Sequence, residues 1–242
     1  MKLFLSIIFI ITFDVCYSQE LDIFQDDSIY RKNKISTRTM FQLNRDMLQK
    51  EIVTYYNLKG QKVKQFWFRN WDKEYNNVET FIYSENGLLI NIIDSSREKD
   101  IETTTFYYNL DKTPQKRVSI KKTDTSEFRI YPDRLTTIKY WYSSGKPYRI
   151  DTTVFEKENV KLEYFGFDQS LRSYNACEWH YRYKNHFDGK GNLIKASTKT
   201  GKSQKSIITY TYDDRGLLVS KYEAGFTRRR QMIGMRYYFA YE

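Results

Sequence analysis

The stretch Thr209–Tyr222, TYTYDDRGLLVSKY, is the part of the sequence from which the fold can be predicted. Its first four residues alternate threonine with tyrosine, which is the period-two pattern of a β-strand with one buried face. A tight turn follows at residues 213–216 (DDRG), where Gly216 can take a positive φ. The apolar run at 217–219 starts a return strand, so the stretch predicts a β-hairpin.

The same hairpin pattern recurs along the chain. Gly60 and Gly87 lie 27 residues apart, as do Gly87 and Pro114, which takes the place of glycine in that unit. The predicted turn glycines are Gly60, Gly87, Gly145, Gly191 and Gly216. A spacing of between twenty and thirty residues, with one hairpin in each unit, indicates an array of structural repeats. We therefore expect an all-β fold: an antiparallel, open β-meander of repeated hairpins with little helix.

Composition supports strands rather than helices. The chain has 22 Tyr, 16 Phe and 4 Trp against 3 Pro, and aromatic enrichment favours strands. A single hairpin is marginally stable in water, so neighbouring hairpins must pair to cover their aromatic faces. After the N-terminal segment only Cys177 remains, which excludes a disulfide within the monomer.

The repeat resembles the YD-type (RHS-like) repeats of secreted bacterial proteins, in which an aromatic residue, Tyr-Asp, a turn glycine and leucine follow at fixed spacing. Residues 210–218 (YTYDDRGLL) fit best, and residues 56–60 and 187–193 fit well. The chain is also similar to MORN-like repeats, which share the aromatic–turn–glycine rhythm. The resemblance covers about residues 53–222 and implies a hairpin array. The toxin-enclosing shell of large RHS proteins is not implied, because this chain is too short.

The N-terminus predicts export. Residues 1–18 have a lysine, an apolar run and small residues before Gln19, as in a secretory signal peptide. An uncleaved anchor would need about twenty apolar residues, and lipidation at Cys16 would need different flanking residues. We expect an acidic leader at 19–28, a single repeat domain at 29–242 and no transmembrane span in the mature chain. The expected location is the periplasm, cell surface or exterior of a Gram-negative bacterium.

No catalytic constellation stands out in the sequence. Residues 177–186 hold both histidines and Cys177, but on one strand Cys177 and His180 would point to opposite faces. A metal site needs three or four converging ligands. We therefore predict no metal, no cofactor and no catalytic residues.

Two surfaces are candidate binding sites. With a net charge of +10, the chain could meet an anionic partner. The candidate anionic-ligand surface consists of Arg228, Arg229, Arg230, Lys199, Lys202 and Lys205. The candidate aromatic platform for a glycan consists of Trp67, Phe68 and Trp71. Solvated loops and buried sheet-face aromatics are the alternative readings of these two groups.

The sequence thus favours an exported, non-catalytic binding or structural repeat protein of the bacterial envelope. Its expected partner is an envelope glycan, a lipid surface or an envelope protein, and nucleic acid is not expected. The alternative is a hydrolase of an envelope glycan or polymer, with Glu163 and Asp168 as acid and base. On one strand those two carboxylates would face opposite ways, which argues against an enzyme.

Overall fold

The structure, a computed structural model, describes residues 28–44, 46–68, 74–97, 100–122, 124–132, 136–143, 146–156, 159–167, 174–200, 204–226 and 234–242. At 124, 143, 155–156, 159–167, 174–183, 200, 204–205 and 226 only the backbone is described. The predicted signal peptide and all but the last residue of the predicted leader lie outside these ranges.

The described residues form one short helix and sixteen strands. The helix α1 is Ser28–Lys32, and none of the described helical residues belongs to a helix long and apolar enough to cross a membrane. The strands are β1 Thr37–Asn44, β2 Met47–Tyr56, β3 Lys62–Phe68, β4 Tyr75–Tyr83, β5 Leu89–Ser96, β6 Ile101–Tyr108, β7 Pro114–Lys121, β8 Asp124–Ile130, β9 Thr136–Ser143, β10 Lys146–Glu156, β11 Asn159–Phe167, β12 Tyr174–Phe187, β13 Leu193–Thr200, β14 Gln204–Tyr212, β15 Leu218–Phe226 and β16 Met235–Tyr241.

The strands follow one another around an antiparallel meander, as the sequence predicted. Each strand pairs with its neighbours along the chain, and β1 also pairs with β16, so the strand order closes into a barrel. The antiparallel meander and the scarcity of helix are confirmed. The free edges expected of an open sheet are instead used in the β1–β16 pair, where Arg38 lies opposite Tyr241. Such pairing satisfies the backbone donors and acceptors that an edge strand leaves unpaired.

Five hairpin turns share one hydrogen-bond pattern. They begin at Asn57, Ser84, Asn109, Asp188 and Asp213. In each, the N–H three residues later donates to the carbonyl of the first residue, as from Gly216 to Asp213 at 3.0 Å. In four of them a side-chain oxygen of the first residue accepts the N–H four residues later, as Asp213 Oδ1 does from Leu217 at 2.9 Å. These polar side chains therefore set the turn geometry locally, which is why the pattern could be read from sequence.

The predicted turn glycines lie at the left-handed position of these turns. The φ angles are 80° at Gly60, 80° at Gly87, 85° at Gly191 and 83° at Gly216, while Gly145 lies outside the described residues. In the third unit Lys112 takes this position with a φ of 67°. Our expectation that Pro114 replaces glycine was therefore wrong, because Pro114 already begins β7.

The two faces of the barrel wall differ in burial. Along β16 the residues Met235, Tyr237, Phe239 and Tyr241 are partly buried, whereas the intervening residues are exposed. Side chains converge on the concave side of a closed sheet, so we call the more buried side the inner face. Tyr241 of β16 is the Cα partner of Arg38 on β1, and Arg38 is the partner of Thr54 on β2, so these three side chains lie on the inner face. Thr54 is fully buried. Polar residues at these inner positions therefore line the interior.

The helix α1 packs at the ends of several strands. Tyr30 stacks on Tyr56 with ring centroids 4.4 Å apart, and both belong to a core cluster with Ile35 and Leu217. The helix ends because Lys34 takes a φ of 54° and donates to a helical carbonyl. Apolar burial thus holds the segment as a helical turn before β1 begins at Thr37.

Candidate functional site

A groove of about 590 Å³ lies on the outer face of β2–β5. Its floor includes Val53, Phe66 and Val78, which are successive partners in the strand register. These residues alternate with the inner residues Thr54, Gln65 and Glu79, and so point away from the barrel interior. The groove is therefore open to a ligand outside the barrel.

Aromatic rings form the walls of this groove. The ring of Phe66 makes an edge contact with Tyr55 at 5.8 Å and with Tyr75 at 5.0 Å between centroids. Phe68 lies nearby, and the ammonium of Lys50 sits 4.1 Å from its ring centroid. These contacts hold the rings in fixed orientations and leave Tyr75 42% exposed. Exposed aromatic faces next to a cation suit a flat ligand with apolar and polar edges.

The rim of the groove is polar. Arg97 forms an ion pair with Glu74, and both side chains are more than half exposed. Ser95 and Ser96 also line the groove, and the Ser96 hydroxyl accepts the backbone N–H of Asp100. Among the described residues that line the groove, Glu74 is the one carboxylate.

The predicted aromatic platform is divided between the two faces of β3. Phe68 lines the outer groove, whereas Trp67 lies on the inner face and hydrogen-bonds to Glu79. The two residues are sequence neighbours on a strand, so a shared platform was the wrong expectation for them. Trp71 lies outside the described residues. The residues that replace them in the groove, Tyr55 and Tyr75, come from the two strands that flank β3.

The predicted anionic-ligand surface is described only in part. Lys199 is exposed on β13, and Lys205 is its Cα partner on β14. Lys184 and Lys195 are also exposed on the neighbouring part of β12 and β13. The predicted residues Lys202, Arg228, Arg229 and Arg230 lie outside the described residues. The anionic-ligand surface stays a prediction. In the part that is described, Lys199 and Lys205 are Cα partners on neighbouring strands.

Acidic residues occupy the inner face of β4–β6. Glu79, Asp94 and Glu102 are successive Cα partners across these three strands. Burial raises the pKa of Glu79, and the Asp94 charge raises it further, against hydrogen bonds from Trp67 and Gln65 that lower it. Burial likewise raises the pKa of Asp94, followed by the charge of Glu102. The buried Asp94 Oδ1 has no hydrogen-bond partner among the described residues, which agrees with the raised pKa of Asp94.

The inner face of β7–β10 carries mainly cations. We call the following seven residues the basic cluster: Arg117, Glu127, Arg129, Lys139, Trp141, Arg149 and Asp151. Several of these residues are Cα partners on neighbouring strands and so lie side by side: Arg129 is opposite Lys139, and Lys139 is opposite Asp151. In the sequence, Glu127 and Arg129 on β8 and Arg149 and Asp151 on β10 lie two positions apart, which puts each pair on one face of its strand. We missed this signal because we expected aromatic residues on the buried face.

The other residues considered for chemistry are not brought together by the described structure. Cys177, His180 and Glu163 lie on strands whose side chains are not described there, and Asp168 lies outside the described residues. Glu163 has Glu178 as its Cα partner. Among the described residues no group of three histidine, cysteine or acidic side chains is arranged to hold a metal ion.

Comparisons with known proteins bear on the fold. No family model matches this sequence, and neither does any curated protein. The chain is similar in structure to a porin-like protein from Bacteroides uniformis, with a TM-score of 0.52 over 86% of this chain and 98% of that chain. The two sequences are 11% identical, so the likeness shows an all-β antiparallel architecture of comparable extent and leaves the YD-type repeats as a resemblance.

Proposed function

We propose that this protein is a non-catalytic binding protein of the bacterial envelope and that the groove on β2–β5 binds a glycan. The observation that carries the proposal is the set of ordered, partly exposed rings in the groove. Flat apolar faces of sugar rings stack on such side chains, while hydroxyl groups bond to polar groups at the rim. Lys50, Ser95 and Arg97 provide donors at that rim.

Envelope location is supported by two independent features. The N-terminal 18 residues have the pattern of a secretory signal peptide. The structural likeness is to a porin-like protein, a class of envelope proteins. Neither feature names a ligand, so the groove alone supports the choice of a glycan over the other expected partners.

A glycan array followed by calorimetry tests the proposal. We expect at least one envelope glycan to bind wild-type protein, and Tyr75→Ala to weaken it about tenfold, which corresponds to about 1.4 kcal/mol. Tyr107→Ala is the matched control, because Tyr107 is also 42% exposed on the outer face but lies outside the groove. Absence of any array hit, or equal losses in the two variants, would overturn the proposal.

A further inference from the structure

The groove on the outer face holds an ammonium group against an aromatic ring. Lys50 lines the groove from β2, and its Nζ lies 4.1 Å from the ring centroid of Phe68. The one carboxylate among the described residues that line the groove, Glu74, forms its ion pair with Arg97. The partner that the described structure gives Lys50 is thus a ring and not an acid. An ammonium has three N–H donors, so contact with one ring face leaves donors for a ligand.

Lys50 and Arg97 lie at opposite sides of the groove. Lys50 belongs to β2, whereas Arg97 follows directly after β5, and β3 and β4 lie between them in the sheet. Three strand spacings separate the two sides by about 14 Å. The groove volume of about 590 Å³ is in the usual range for small-molecule sites. Because Arg97 already has Glu74 as its counter-charge, the side at Lys50 is the one that suits an acidic group.

Aromatic rings and hydroxyl groups line the groove between these two sides. Phe66 and Tyr75 contact each other with ring centroids 5.0 Å apart, and Tyr75 is exposed. The hydroxyl oxygen of Ser96 accepts the N–H of Asp100, so its own proton can be donated to a ligand oxygen. The groove therefore suits a ligand that has a flat apolar face, several oxygen acceptors and one acidic group near Lys50.

We propose that the glycan bound in this groove is acidic and that Lys50 binds the carboxylate of a hexuronic acid unit. This inference rests on the proposed glycan-binding function and adds the chemical class of the glycan. A hexuronic acid has a ring face that stacks on an aromatic side chain and a carboxylate whose single charge is opposite to that of the ammonium. A hydrogen bond between charged groups is roughly twice as strong as one between neutral groups, so the carboxylate should add to the affinity.

Pairs of oligosaccharides that differ only in the carboxyl group test this inference on the full mature chain. The pairs are oligomers of galacturonic, glucuronic and mannuronic acid, each beside the same oligomer after reduction of its carboxyl groups to primary alcohols. We expect at least one acidic oligomer to bind about tenfold more tightly than its reduced form. If glycans bind but no acidic oligomer is preferred to its reduced form, this inference is wrong while glycan binding stands. If no glycan binds at all, the proposed function is wrong as well.

Two lysine variants assign the preference to the groove. Lys50→Gln should bring the ratio of the two affinities close to one, because glutamine offers no charge to the carboxylate. Lys116→Gln is the matched control, since its Nζ lies 4.7 Å from the ring centroid of Tyr107 on the outer face, outside the groove. This control should keep the wild-type ratio. Equal ratios in the two variants would show that acidic oligomers are not selected by Lys50, and would overturn the inference.

Tyr75→Ala separates ring stacking from charge. Tyr75 carries no charge, so its loss should weaken the acidic and the reduced oligomer by the same factor and leave the ratio of their affinities unchanged. A merely structural role for Lys50 would also weaken both oligomers alike. If the ratio falls as far in Tyr75→Ala as in Lys50→Gln, the carboxylate is not bound by Lys50.

Discussion

In two adjoining parts of the inner wall, the pKa of a buried carboxylate is shifted in opposite directions. On β4, Glu79 is bonded to the neutral side chains of Gln65 and Trp67, and burial raises its pKa. On β8, burial would raise the pKa of Glu127 too, but the charges of Arg117 and Lys139 lower it overall. The local number of cations, and not the depth of burial, decides whether a carboxylate in this wall stays ionised.

The largest expected effect is at Glu127. In Glu127→Gln the buried Arg129 and the partly buried Arg117 and Lys139 lose their shared counter-charge, and breaking a buried arrangement of this kind costs about 3–5 kcal/mol. Urea unfolding at pH 7 measures this free energy. Glu85→Gln, in an exposed hairpin turn, is the control and should change stability by less than about 0.5 kcal/mol. A loss at Glu127 no larger than that of the control would mean that the three cations are not held by this carboxylate.

Glu79→Gln should change the free energy of unfolding in the opposite direction. Glutamine keeps an oxygen that can accept from Gln65 and Trp67, and it removes a charge that the site stabilises poorly. We expect the free energy of unfolding at pH 7 to rise by about 1 kcal/mol, the scale of one hydrogen-bonded polar group. If Glu79→Gln instead destabilises the protein as much as Glu127→Gln does, the two parts of the wall do not differ.

The sequence was informative where structure is local. Four turns could be predicted because each has a polar residue followed three positions later by a glycine, namely Gly60, Gly87, Gly191 or Gly216. The hydrogen bonds of such a turn lie within a few neighbouring residues, so the local sequence is enough to predict it. Closure of the barrel could not be predicted, because β1 and β16 lie far apart in the chain. Period-two alternation shows which residues share a face but not which face is inside. That is why Tyr75 in the groove and Lys139 in the wall were missed, and why Trp67 and Phe68 were wrongly combined.

Acid titration should separate the two carboxylates. Glu79 has a raised pKa, so its protonation favours the folded state as pH falls from 7 toward the unfolded value near 4.5. The advantage of Glu79→Gln over wild type should therefore shrink between pH 7 and pH 5. Glu127 has a lowered pKa, so its contribution persists above 4.5 and is lost only as pH falls through its folded value. Urea unfolding at pH 7, 6 and 5 checks both trends, and parallel curves for the two variants would refute the contrast.

The smallest effect should appear at alkaline pH and depends on Lys139. Its folded pKa is about 8 against an ordinary 10.5, so between these values the unfolded chain binds more protons than the folded protein. Stability from this group must then rise with pH in that window. Wild type and Lys139→Gln contain the same other lysines and tyrosines. The difference between their free energies of unfolding therefore reports the contribution of Lys139 alone. We expect that difference to move in favour of wild type by on the order of 1 kcal/mol between pH 8 and pH 10. A flat difference for Lys139→Gln would mean that burial and the nearby arginines do not lower the pKa of Lys139 in the folded protein.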